Sequence, residues 1–452
     1  MDAPTRRRFL KAAAAGGLLY AFGRTPGSIQ ASAASVAGFS DYKALVCVYL
    51  LGGNDSWSMV VPTSQAEYDA YAASRQNLAI ARDRLLPITP IDPLPVSYGL
   101  HPLLPALKTR FETGQCAFIA NVGPLIAPLT RDDYLSGSPS SPPQLFSHNE
   151  QQNQWYTLRG RGQTNTGWAG RVADLLIGQV TGQQLPVNLS LSGNILMQSA
   201  RMARPYVMGP TGPTTFTAFG TTGVKLSRRN SFLNVINAGY DSLYGRAYAE
   251  ELRGTLASAD AVNSAMAAAP TLQTSFPTGS PLGQQLKTVA QLISVRERLN
   301  ATRQVFFISA GGFDTHDEQV TVQPGLFSTL DSSLSAFHAA MIELGVDTNV
   351  TTFTQSDFGR TLTSNGDGSD HAWGGLQLAL GGSVRGQAIY GSYPELRIGA
   401  PNDVGGGRFI PAVSSDQYVA TLVRWFGLDA ASIPSIAPSI GNFAQQDLGF
   451  MV

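Results

Sequence analysis

Charge is scarce in this chain. Only 14% of its 452 residues are Asp, Glu, Lys or Arg, against roughly 25% in an ordinary soluble protein. The 31 bases and 31 acids cancel, and no basic patch stands out, which argues against nucleic-acid binding. Cysteine is nearly absent. Cys47 and Cys116 each lie in an apolar, strand-like run and read as two buried thiols, or as one disulfide in an oxidising compartment. Neither has the context of a catalytic or zinc-binding cysteine. Beyond the N-terminus no apolar run is long enough to cross a membrane. No Gly-x-Ser-x-Gly elbow supports a serine esterase. Internal repeats, heptads and low-complexity tails are missing too.

Glycine and proline are plentiful, at 47 and 27, which predicts long ordered loops. The N-terminus reads as an address. Arg6-Arg7-Arg8-Phe9-Leu10-Lys11, a weakly apolar stretch to Phe22, and Ala31-Ser32-Ala33 make a twin-arginine export signal over residues 1–33. Its removal takes five bases and one acid, leaving 26 and 30, a net charge of −4. The expected location is periplasmic or secreted, with the twin-arginine translocase as a partner during export.

Residues 34–452 alternate strand-like and helix-like segments, which predicts one α/β domain with a largely parallel sheet. Strands are expected at Ala44–Leu51, Cys116–Val122, Val305–Ile308, Val350–Phe353 and Leu376–Leu380. Helices are expected at Leu103–Phe111, Asn149–Leu158, Thr166–Ile177, Asp241–Ala268, Leu282–Leu299, Leu326–Leu344 and Gln417–Phe426. The region around 200–300 reads as an insertion, Gly/Thr-rich at 200–230 and helical beyond.

Three predicted strands end in polar clusters. Leu45–Leu51 runs into Gly52-Gly53-Asn54-Asp55. Val305–Ile308 runs into Gly311-Gly312-Phe313-Asp314-Thr315-His316. Val350–Phe353 runs into Ser356, Asp357 and Arg360, then Asp370-His371. Parallel sheets bind ligands at such carboxyl ends. Asp314 and His316, two apart, point the same way in an extended segment and suit zinc. Asp370 could ligate directly or orient His371. Arg360, one helical turn beyond Asp357, could bind an anionic oxygen or pair with Asp357. Ser147-His148 opens a predicted helix, where free N–H groups favour an anion, so Ser147 is either the nucleophile or an N-cap. Ser56 and Ser58 compete with it. Of the other histidines, His101 reads as a structural cap and His338 as structural or surface.

These motifs, with Gly167-Trp168-Ala169-Gly170-Arg171, resemble the bacterial family catalogued as domain of unknown function 1501. That family is grouped with alkaline phosphatases and sulfatases. The resemblance implies an alkaline-phosphatase-like mixed, largely parallel sheet sandwiched between helices. It implies two divalent metal ions, zinc first, with calcium, manganese or magnesium as alternatives. Asp314, His316 and His371 would hold one ion; Asp55, Asp357 and Ser147 the other. The implied function is hydrolysis of phosphate or sulfate esters, on an anionic small molecule or glycan. Ser147 would attack, His148 protonate the leaving group, and Arg360 neutralise charge. The Cys/Ser-x-Pro-x-Arg signature of formylglycine sulfatases is missing. Relatives usually carry Glu where this chain has Asp357, which motivates the alternative: a non-catalytic periplasmic or cell-surface binding protein with a degenerate metal site.

Overall fold

The computed structural model describes residues 38–213 and 219–452, and the export signal at 1–33 lies outside them. Gly38–Val452 forms one compact unit. Twelve strands are β1 Lys43–Leu50, β2 Val60–Pro62, β3 Leu86–Ile88, β4 Tyr98–Leu100, β5 Cys116–Gly123, β6 Asn188–Ser190, β7 Tyr206–Val207, β8 Arg303–Ala310, β9 Val350–Ser356, β10 Gly375–Leu380, β11 Ala388–Gly391 and β12 Val413–Ser414. Nine form the main sheet, in the order β11-β5-β10-β9-β1-β8-β6-β7, with β12 also on β5. Every pairing is parallel except those of β10, which runs against both β5 and β9. The sheet is mixed and largely parallel.

Period-two alternation splits its side chains between two helix layers. In β1, Ala44, Val46, Val48 and Leu50 join a core with helices Pro105–Glu112, Pro281–Ser294 and Gln319–Glu343. Leu45, Cys47 and Tyr49 join the opposite core, under His148–Thr157, Trp168–Leu176 and Ser415–Phe426. Both faces of the central strands are dry, so they read as unbroken apolar runs. Cys47 and Cys116 are buried free thiols on opposite faces, which overturns the disulfide alternative. Among the described residues no helix is long and apolar enough to cross a membrane.

The predicted Leu326–Leu344 helix starts seven residues earlier, at Gln319. Pro324 falls in the second turn, and buried Gln319 and Gln323, both before it, anchor the start of the helix to Asp55. The antiparallel β2-β4-β3 sheet and the helix Gln65–Arg75 had no counterpart in the sequence reading. Three-residue strands are too short to show a period. Helix Gly223–Ile236 starts in the segment left unassigned at 200–230.

His338 lies mid-helix at 2% exposure, and its Nε2 has no hydrogen-bond partner. Burial first, then Arg110, hold its pKa down to about 4, against 6.5 for a free histidine. A depressed histidine stays neutral when folded and charges when unfolded. Its stabilisation is therefore full above pH 6.5 and is lost as pH falls toward 4, by about 3 kcal/mol at most. Urea unfolding at pH 7 and pH 4.5 should show wild type losing more stability than His338→Leu. Equal losses would show that His338 is not the cause.

Candidate functional site

The site forms because β1, β8 and β9 end together. Leu51 donates to Ala310 O at 2.8 Å, and Phe313 N–H donates to Leu51 O at 3.1 Å. Ser356 Oγ donates to Leu50 O at 2.7 Å and accepts from Asn54 N–H at 2.8 Å. Gly52 at φ +114° and Gly53 at φ +88° pass where a Cβ would strike Asp314 N and the Phe358 ring. Only glycine fits there without strain. Because β10 is antiparallel, its entry lies at this same end. Arg360 and His371 bridge across a short hairpin, which delivers Asp370 and His371 beside Asp314.

Three imidazoles surround Asp314, and each has its Nδ1 engaged by a pure acceptor. His148 Nδ1 meets the Asp357 carboxylate at 2.6 Å. His316 Nδ1 meets Asp370 Oδ1 at 3.2 Å. His371 Nδ1 meets Phe146 O at 2.8 Å. Carboxylates and carbonyls only accept, so each Nδ1 carries a proton, and each ring in its neutral form has a bare Nε2. Those Nε2 atoms lie 3.4, 3.2 and 3.3 Å from Asp314 oxygens, for His148, His316 and His371. His316 and His371 face each other Nε2 to Nε2 at 2.8 Å. Two lone pairs at that distance repel unless a proton or a cation sits between them.

The donor set fits a borderline cation. Ligands at about 2.0–2.1 Å in a tetrahedron lie roughly 3.3 Å apart, which is the spacing found around Asp314. Donor atoms of His148, Asp314 and His371 all lie within 4.8 Å of one another. His316 joins through Asp314 and His371. The carboxylates behind His148 and His316, and the carbonyl behind His371, fix tautomer and ring orientation, as outer partners of metal-binding histidines do.

Electrostatics agree. Burial works to raise the Asp314 carboxyl, but Arg360, with the imidazoles when they are charged, outweighs it and holds the pKa below normal. For Asp370 burial is likewise overcome, by bonds from Asn365 and His316. Burial lowers His371, which keeps its Nε2 lone pair available. Arg360 is fully buried behind Asp314 and donates to Oδ1 at 2.9 Å. It therefore positions Asp314 and does not meet solvent.

Asp357 is wholly buried at the end of β9 and accepts from His148, from Gln152 at 2.9 Å and from Gly52 N–H at 3.3 Å. It faces the back of His148 and orients that ring. Asp55 does not join the cluster. It is locked in a buried ion pair with Arg75, and accepts from Ser58 and Gln319 as well. The two-ion arrangement implied by the resemblance is thus not assembled here: a guanidinium already neutralises Asp55.

Ser147 is the N-cap of helix His148–Thr157, yet its side chain makes no capping bond. Ser56 and Ser58 are buried and hydrogen-bonded to Leu376 N–H and to Asp55. Phe146, before Ser147, has φ +69°, a costly conformation for a bulky residue. The strain aims its carbonyl at His371, and such strain gathers at functional sites. Sequence reasoning missed Phe146, Gln152, Arg75 and Arg408, which donates to His371 O at 3.0 Å and packs over the Phe146 ring. The basic signal of Arg408 was visible, in the Gly405-Gly406-Gly407 loop, but nothing tied that loop to His371.

Fold and site together define an α/β protein whose largely parallel sheet carries a carboxylate–imidazole cluster at its strand ends. The chain belongs to the family described as Protein of unknown function (DUF1501), which matches residues 42–432. No curated protein matches it. A solved structure concerned with the metabolism of multiple glycosaminoglycans by Bacteroides thetaiotaomicron is 11% identical, covering 88% of this chain and 75% of its own, with a TM-score of 0.36.

Proposed function

We propose that this chain is an exported hydrolase of phosphate or sulfate esters that uses one divalent cation, zinc first among the candidates. One observation carries the reading: three imidazoles turn bare Nε2 atoms toward Asp314 while acceptors hold every Nδ1. Asp314 and His371 are the shared ligands, with His148 and His316 on either side. A bound cation would act as a Lewis acid on the ester oxygen and lower the pKa of a hydroxyl beside it.

The chain's own groups do the rest. Ser147 Oγ, not spent on capping, gives its proton to water and attacks phosphorus or sulfur in line. The ester P–O or S–O bond breaks, the leaving oxygen takes a proton from water, and a second water hydrolyses the seryl ester. His148 has both nitrogens committed, so it holds the site and does not protonate the leaving group. Charge decides substrate class. Asp314, Asp357 and Asp370 contribute −3, and Arg360 and Arg408 +2, a sum of −1; a divalent cation makes it +1. Anionic esters should bind only to the loaded protein.

The test is metal content and turnover together. Protein purified from the periplasm without chelators should hold one equivalent of cation. It should hydrolyse aryl phosphates or aryl sulfates at a rate abolished by EDTA and restored by one metal. The second reading, a binding protein without turnover, is favoured by the sequestered Asp55. Stoichiometric metal with no hydrolysis of any ester would select it.

A further inference from the structure

A cavity of about 300 Å³ borders the Asp55 network through Ser58, Gln319 and Gln323 and shares no lining residue with the imidazole cluster. One wall is apolar, formed by Leu78, Ile80, Pro102, Leu103 and Val320. The rest is polar. His101 lines it at 6% exposure and stands edge-on to Phe327. Its Nδ1 accepts from Leu103 N–H at 3.1 Å, so Nε2 carries the ring proton. That N–H has no hydrogen-bond partner among the described residues. Burial lowers the pKa of His101 to about 4, which keeps the ring neutral and a donor. Asp55 is near enough to favour a proton on His101, and exposed Arg84, at the same cavity, disfavours one.

Gln319 and Val320, the first residues of the 25-residue helix Gln319–Glu343, also line the cavity. The N–H groups of Gln319, Thr321 and Val322 are already spent on the carbonyls of Asp367 and Glu318. The amides of Gln319 and Gln323 and the Ser58 hydroxyl are spent on Asp55. What is left to a ligand is one buried neutral donor, one cation and an apolar wall. We infer that this cavity is a binding site for a small organic anion, a carboxylate on an apolar body. Carboxylate oxygens meet His101 Nε2–H and Arg84, and the body lies on the Leu78–Ile80 wall. Gln319 connects the site to the imidazole cluster: its Nε2 reaches Asp55 and its Oε1 accepts from Ser369 at 2.6 Å, next to Asp370.

The probe is benzoate, titrated calorimetrically into metal-free protein, so the readout is independent of turnover. Wild type should show saturable binding. His101→Phe and Arg84→Gln should each weaken it about tenfold, the scale of a hydrogen bond to a charged group. Inorganic phosphate, with no apolar body, should not displace benzoate. Arg84 is exposed, so Arg84→Gln retains the fold and decides the matter even if His101→Phe does not. Equal affinity in wild type and Arg84→Gln, displacement by phosphate, or no saturable binding would each overturn the site.

Discussion

An Asp314→Asn variant should bind less than a tenth of an equivalent of cation and lose at least about 10³-fold in kcat/KM. The amide keeps the size of the side chain and an oxygen for Arg360. It removes the one charge on which all three Nε2 atoms converge. A Lewis-acidic cation contributes several kcal/mol to the transition state, and about 4 kcal/mol is a thousandfold. Asp314 is exposed, so the fold should survive. Far-UV circular dichroism and urea unfolding would show the stability unchanged while metal analysis and an aryl ester assay show the loss. A variant that retains a full equivalent and wild-type turnover would remove Asp314 from the site and end the proposal.

The core of this fold was open to reading because it is built from runs that physics makes conspicuous. Leu45–Leu51 and Val350–Phe353 are short, β-rich and apolar, and both faces of those strands are dry. Each ends in glycine or a polar side chain, so the sheet's carboxyl edge could be found before its order was known. Partners across the sheet could not. Asp357 and His148 are 209 residues apart, and only the fold shows that the carboxylate faces the back of the imidazole. Residue type suggested a ligand; burial makes Asp357 an orienter. For His148 the proposed role moves from leaving-group acid to cation holder, because its Nε2 faces Asp314. Arg75 left no trace in sequence, since its helix was not foreseen and its partner Asp55 lies 20 residues away. Its guanidinium is buried because Asp55 and the carbonyls of Thr361 and Leu362 absorb it.

Arg75→Leu should therefore be the most destabilising single change in this region, by about 3–5 kcal/mol. Both side chains of the Arg75–Asp55 pair are fully buried. Removing the cation leaves a carboxylate with Ser58 and Gln319 as its remaining side-chain donors, and leaves the Thr361 and Leu362 carbonyls without theirs. An unpaired buried charge costs more than the pair contributes. That asymmetry supplies the control. Asp55→Asn in the Arg75→Leu background removes the stranded charge and should recover about half of the loss, measured by urea unfolding. If Asp55 were instead a cation ligand, the outcome would reverse. Arg75→Leu would free its carboxylate, metal content would rise from one equivalent toward two, and added zinc would restore stability. A stability deficit that zinc leaves untouched and Asp55→Asn relieves identifies Arg75 as the permanent counter-charge of Asp55. It also leaves Asp314 and the three imidazoles as the only cation site among the described strand ends.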